Sequence, residues 1–100
     1  RDEALVVGAG LARTHITGEG FTVSGLAIPY GPLRYRMVAR GDSVEVELGE
    51  GLRVPPGGVV VAPPTARTLA HATVNGETVA VSAAGEVVVR RVPATVKLWP

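Results

Sequence analysis

The 100-residue sequence contains no cysteine, and this absence excludes two kinds of small scaffold. Domains stapled by disulfides and sites that hold a metal ion through thiolates both need cysteine. The absence leaves the cellular compartment open. Many bacterial periplasmic proteins also lack cysteine, so neither a periplasmic or secreted location nor a cytoplasmic one is excluded.

Aromatic residues are scarce, and neither sign of charge dominates. An aromatic content of 4% leaves the core to valine, alanine and leucine, and a pleated sheet accommodates β-branched valine well. Ten Lys and Arg against nine Asp and Glu give a formal net charge of +1, which creates no broad field for nucleic acid or anionic lipid. No apolar run approaches the roughly 18 residues of a membrane-spanning helix. We therefore expect a β-rich domain with neither a nucleic-acid nor a membrane partner.

The stretch ALVVGAGLA, residues 4–12, is typical of the strand and glycine turn that open a dinucleotide-binding domain. That fingerprint is G-x-G-x-x-G, and here Gly8 and Gly10 fit while Arg13 takes the third glycine position. A long crossover helix should follow, but further glycines interrupt the chain after barely two turns. We therefore expect no nucleotide and no other cofactor, with at most one short helical turn between Leu11 and Thr17.

The clearest pattern is the period-two alternation of LRYRMVARGDSVEVELG, residues 33–49, which predicts a half-buried hairpin. If Gly41 and Asp42 form a two-residue loop, the register brings three pairs opposite each other: Tyr35 with Leu48, Arg36 with Glu47, and Met37 with Val46. Glu45 and Glu47 could be mistaken for an acid/base pair of a glycosidase. Their alternation with valines instead predicts a solvated strand face opposite arginines.

The rest of the chain also consists of short strand patterns separated by glycine and proline. The prolines of PYGP at 29–32 predict a corner, and Asn75–Gly76 predicts a second hairpin through a type I′ turn. Residues 85–99 predict two β segments hinged at Pro93. We therefore predict one all-β domain over residues 1–100, a small antiparallel β-sandwich of about seven or eight short strands.

No arrangement of side chains in the sequence predicts catalysis or metal binding. His15 and His71 lie far apart, without neighbours that suggest a metal site. Ser24, Ser43 and Ser82 lack the G-x-S-x-G context of an activated nucleophile. We expect no catalytic, cofactor-binding or metal-ligating residue, and no enzyme activity in this domain alone.

The remaining candidates are aromatic residues and their neighbours. Tyr35 alternates into the core, so Tyr30 in the PYGP corner is expected to be the most exposed aromatic, and Trp99 to lie just beyond a strand. Separated aromatics more often cover the edge of a core or meet a partner domain than form a carbohydrate platform. Residues 21–33 also offer few hydrogen-bonding side chains beside Tyr30. Tyr30, Pro32 and Trp99 are therefore the domain-interface candidates, and carbohydrate binding by this domain is not expected.

Four segments, VVGAGLA, GEGFTVSGLAIPYGPLRYRMV, VPPGGVVVAPP and ATVNGETVAV, carry a family resemblance. Together, over roughly residues 4–98, the chain resembles the small C-terminal β-sandwich that follows the (α/α)6 helical barrel in a broad group of bacterial glycoside hydrolases and related proteins. GLAIPYGPLRY and PPGG are the most specific parts. After GAGL the chain departs from the family pattern, because ARTHI stands where a tryptophan is expected.

The resemblance implies a non-catalytic accessory domain, the C-terminal piece of a longer chain, which packs on the catalytic barrel of the same polypeptide and supports it. The residues themselves leave two alternatives open. One is a free-standing carbohydrate- or protein-binding module, and the other is a small enzyme or a subunit of another kind.

Overall fold

The computed structural model describes residues 5–8, 16–63, 69–83 and 85–100. Over this part of the chain it contains nine strands and no helix, which confirms the all-β prediction. The short turn expected between Leu11 and Thr17 falls mostly on residues outside the described ranges. The strands are β1 (Leu5–Val7), β2 (Phe21–Ile28), β3 (Gly31–Arg40), β4 (Ser43–Leu48), β5 (Val59–Val61), β6 (His71–Val74), β7 (Glu77–Val79), β8 (Val87–Val89) and β9 (Ala94–Trp99).

The strands form two sheets around one core. The six-stranded sheet has the order β2-β3-β4-β9-β6-β7, and the three-stranded sheet has the order β1-β5-β8. Strand pairs are antiparallel except that of β1 with β5, which is parallel. The predicted sandwich is thus confirmed, with more strands than the seven or eight expected and with one parallel pair.

Alternate residues of both sheets supply the core, as the period of two requires. The fully buried core residues of the three-stranded sheet are all valines, namely Val7, Val59, Val61, Val87 and Val89, and half-buried Leu5 packs against them. The six-stranded sheet contributes mixed side chains, among them Leu33, Tyr35, Met37, Val46, Leu48, Val96 and Leu98. Each fully buried side chain of this size stabilises the fold by about 1.5–3 kcal/mol. A core built largely from valine explains how so few aromatics suffice.

The β3–β4 hairpin has the register expected from the sequence. Gly41 and Asp42 form its loop, and Tyr35 pairs with Leu48, Arg36 with Glu47, and Met37 with Val46. Glu47 is exposed on the outer face, as predicted for a solvated strand surface. Two-residue loops determine register because they leave the flanking strands only one alignment.

The two proline-containing connections also match their patterns. Pro29 and Tyr30 form a two-residue turn between β2 and β3. The loop that follows β4 holds this turn, since the Arg53 backbone N–H donates to the Tyr30 carbonyl at 2.7 Å and its guanidinium donates to the Pro29 carbonyl at 3.0 Å. At Pro93 the chain passes from β8 in the small sheet to β9 in the large one.

Candidate functional site

Gly8, the first glycine of the VVGAG stretch, has a packing role in the structure. Its φ is +91°, and a Cβ there would lie 2.7 Å from both the Ala62 carbonyl oxygen and the Met37 Cε. The Tyr35 side chain forms a hydrogen bond with the Gly8 backbone. Burial raises the pKa of the Tyr35 hydroxyl above its usual value, and this hydrogen bond acts in the opposite direction. Position 8 therefore requires glycine because its backbone packs directly against the protein core.

The three interface candidates do not form one surface. Tyr30 and Pro32 lie at the N-terminal end of β3. Trp99 lies beside Arg40, the last residue of β3, at the opposite end of that strand. The rise of a strand, about 3.3 Å per residue, puts these two ends about 30 Å apart. Tyr30 and Pro32 therefore belong to one end of the sandwich and Trp99 to the other.

The exposure of the aromatic residues differs from the expectation. The prediction that Tyr30 is the most exposed aromatic is wrong, because its ring is half-buried and packs against the hydrophobic core. Trp99 is 39% exposed on the outer face of the large sheet. Pro32 is exposed and pairs with Ala27 of β2. It precedes Tyr35, the first residue of β3 in the pairing with β4.

Trp99 belongs to a row of outward-facing side chains that crosses four strands. Arg40 of β3 pairs with Ser43 of β4, and Trp99 of β9 pairs with His71 of β6. The pairing of Val44 with Leu98 brings Ser43 and Trp99 side by side. The imidazole of His71 stacks on the indole, with ring centroids 5.8 Å apart and ring planes inclined by 21°. One side of Trp99 is therefore covered by His71, and the other faces Ser43.

A concave space of about 430 Å³ opens beside Trp99, and we call it the Trp99 pocket. Ser43 keeps it open, because a small side chain stands between two large ones and its hydroxyl donates to the Arg40 carbonyl at 2.8 Å. Arg40 Nη2 lies 3.9 Å from Glu45 Oε1, with side chains 58% and 30% exposed. The pocket is lined by Arg40, Ser43, Val44, Glu45, Lys97 and Trp99.

A second concave region lies at one edge of the sandwich, and we call it the edge cleft. There β7 ends the large sheet and β8 ends the small one. The space between them has two adjoining parts of about 320 and 370 Å³. Its apolar lining is formed by Val74, Val79, Ala80, Val81, Val88 and Val89. The lining also includes charged and uncharged polar side chains, namely Glu77, Glu86, Arg90, Arg91, Asn75, Thr78 and Ser82.

The outer face of the small sheet carries a row of valines, one of which, Val88, also lines the edge cleft. Val6, Val60 and Val88 are aligned by the register of the three strands and point away from the core. Val6 is 37% exposed and Val88 44%, while Val60 between them is covered. The outer face of the large sheet is instead polar, with Arg34, Glu47 and Lys97 exposed. The two faces of the sandwich are thus chemically different.

Among the described residues, no group of three or more His, Asp or Glu side chains could hold a metal ion. The described part of the chain contains no helix long and apolar enough to cross a membrane. The Trp99 pocket and the edge cleft are the candidate binding regions considered below. Comparison of the chain with protein-family models, with curated proteins and with solved structures gave no match.

Proposed function

We propose that the chain is a non-catalytic accessory domain of a bacterial carbohydrate-active enzyme, and that it packs on a larger catalytic domain of the same polypeptide. The type of parent enzyme is supported by the sequence resemblance of the GLAIPYGPLRY and PPGG segments. The packing is supported by one structural observation, the edge cleft between β7 and β8 with its exposed valines.

The edge cleft has the composition of a contact surface. Natural sandwiches protect the edges of their sheets, because unpaired strands and exposed apolar side chains attract other chains. Here Val88 is exposed and lines the cleft together with Val79, beside polar and charged side chains. A mixture of apolar and polar side chains is the usual composition of a protein–protein interface. A neighbouring domain that covers this edge would shield both valines from water.

The reading frame that encodes the chain provides the first test. We expect a helical catalytic domain encoded in the same frame. A frame that encodes this domain alone would contradict the accessory role and favour the free-standing binding module.

A pair of variants provides the second test. In the full polypeptide, Val88→Asp is expected to lower the thermal midpoint of the catalytic domain, because a carboxylate would be buried in the contact. Thr22→Asp, on the opposite edge strand β2, is the matched control and is expected to leave that midpoint unchanged. In the 100-residue chain, both variants are expected to have similar small effects, because both positions are exposed. Equal effects of the two variants in the full polypeptide would rule out docking through the edge cleft.

A second candidate function is a binding module that takes a ligand of its own. The specific observation in its favour is the Trp99 pocket, where an indole and charged side chains from three strands come together.

A further inference from the structure

The Trp99 pocket has the dimensions of a slot for one ring. Its two walls, Arg40 on β3 and Trp99 on β9, are separated by β4. Two strand spacings of about 4.8 Å put the backbones of these two strands about 9.6 Å apart. A ring in van der Waals contact with both walls needs about 7–8 Å, two contacts of about 3.5–4 Å each. Because Ser43 between them is small, the gap is not filled by the protein itself.

The side chains around the slot supply both hydrogen-bond donors and an acceptor. Arg40 and Lys97 carry donors, and the Glu45 carboxylate is an acceptor. The Arg40–Glu45 separation of 3.9 Å is a loose ion pair, which leaves guanidinium N–H groups available to a ligand. Two cationic groups face one carboxylate in the lining, so the pocket carries an excess of positive charge.

We propose that the Trp99 pocket binds one ring of an acidic saccharide, with the apolar face of the ring on the indole and its carboxylate paired with Arg40 and Lys97. The Glu45 carboxylate accepts a hydrogen bond from a ring hydroxyl. The pocket lies on the outer face of the large sheet, away from the edge cleft, so this proposal does not depend on the accessory role.

The charges around the indole select this ligand over an apolar one. A flat hydrocarbon or an apolar peptide side chain in the slot would remove water from Arg40, Glu45 and Lys97 without replacing its hydrogen bonds, which is unfavourable. A saccharide ring has an apolar face for the indole and hydroxyls for the polar rim. A carboxylate on that ring also balances the excess cation, and an arginine–carboxylate pair is a strong charge-assisted hydrogen bond.

Trp99 is the only tryptophan of the chain, so its fluorescence reports directly on the pocket. The test titrates the 100-residue chain with trigalacturonic acid and, as a matched control, with its methyl ester, in which the rings are unchanged but the charges are gone. We expect a saturable change of tryptophan fluorescence with the acid, and binding at least about tenfold weaker with the ester. Raising the salt concentration should weaken binding of the acid, because the site is exposed.

Substitutions test whether the acid binds in the Trp99 pocket or elsewhere on the surface. Arg40→Gln is expected to weaken binding of the acid by about tenfold. Arg34→Gln, on the same strand and the same face, is the control and should bind as the unmodified chain does. Trp99→Ala, checked by circular dichroism for an intact fold and by calorimetry for binding, should lose binding, and Trp99→Phe should retain part of it.

Three results would overturn the proposal. The first is no saturable signal with the acid up to about 10 mM, the limit of weak binding. The second is equal affinity for acid and ester, which would remove the role of Arg40 and Lys97. The third is an equal loss of binding in the Arg34 and Arg40 variants, which would show general charge attraction and no defined site.

Discussion

Asn75 and Thr95 are joined by two hydrogen bonds that fasten the β6–β7 hairpin to β9. The Asn75 backbone N–H donates to the Thr95 carbonyl at 2.8 Å, and the Thr95 N–H donates to the Asn75 side-chain Oδ1 at 2.9 Å. Asn75 also has a φ of +51°, which its turn with Gly76 requires. One residue thus supplies both the turn conformation and a contact with the next strand.

The first prediction separates these two roles of Asn75. Asn75→Gly keeps the backbone freedom but removes the acceptor, so we expect a loss of about 1 kcal/mol in unfolding free energy. Asn75→Ala removes the acceptor and also strains the backbone, so its loss should reach about 2 kcal/mol. Urea unfolding followed by circular dichroism measures both. If the alanine variant is as stable as the unmodified chain, neither role contributes.

The second prediction concerns Gly8. We expect Gly8→Ala to destabilise the chain by at least about 2 kcal/mol, because the new methyl group would overlap the Ala62 carbonyl and Met37 in a backbone conformation that favours glycine. Gly41→Ala is the matched control: its φ is +64° but nothing lies within 4 Å of a Cβ there, so it should cost only about 1 kcal/mol. Equal costs in thermal unfolding would mean that contact at Gly8 is unimportant.

The hairpins could be predicted from sequence because their information is local. Gly41 and Asp42 set the register of β3 against β4, and Asn75–Gly76 sets that of β6 against β7. A turn of two residues and a period of two leave few alternatives. The same reasoning correctly placed Tyr35 in the core.

The Trp99 pocket could not be predicted in this way, because it depends on pairings between distant parts of the chain. Strand β9 follows β4 by about half the chain length, yet their pairing brings Lys97 opposite Glu45. No local pattern in the sequence specifies that neighbour. The prediction that this domain binds no carbohydrate rests on the side chains next to Tyr30 in sequence, and it stays a prediction. The polar side chains around Trp99 come from three strands, so no reading of one segment could bring them together.

The third prediction follows from the half-buried ring of Tyr30. Since the ring packs against the core, Tyr30→Ala should lower the unfolding free energy of the 100-residue chain itself by about 1–2 kcal/mol. Pro32→Ala, at an exposed position of the same corner, should change it by less than about 0.5 kcal/mol. Denaturant unfolding of both variants tests this. An unchanged stability of the Tyr30 variant would show that the ring contributes only to contacts with other domains.

The fourth prediction concerns alkaline pH and Tyr35. Burial raises the pKa of this hydroxyl in the folded state, so the folded chain keeps its proton at pH values where the unfolded chain releases it. Unfolding therefore releases a proton above about pH 10, the ordinary pKa of tyrosine, and the unfolding free energy falls as pH rises further through the folded pKa. Below about pH 10, the contribution of Tyr35 to the unfolding free energy is fully present and does not depend on pH.

Tyr35→Phe isolates this contribution from the other groups that titrate at alkaline pH. The variant loses the hydrogen bond with Gly8, so it should be less stable by about 1 kcal/mol at pH 8. Above about pH 10, however, the unmodified chain should lose stability more steeply than the variant, because the variant has no hydroxyl to ionise at this position. Urea unfolding at a series of pH values gives both curves. If the unfolding free energies of both chains fall in parallel with pH, the pKa of Tyr35 is not raised by folding. A steeper fall for the phenylalanine variant would mean that folding lowers this pKa.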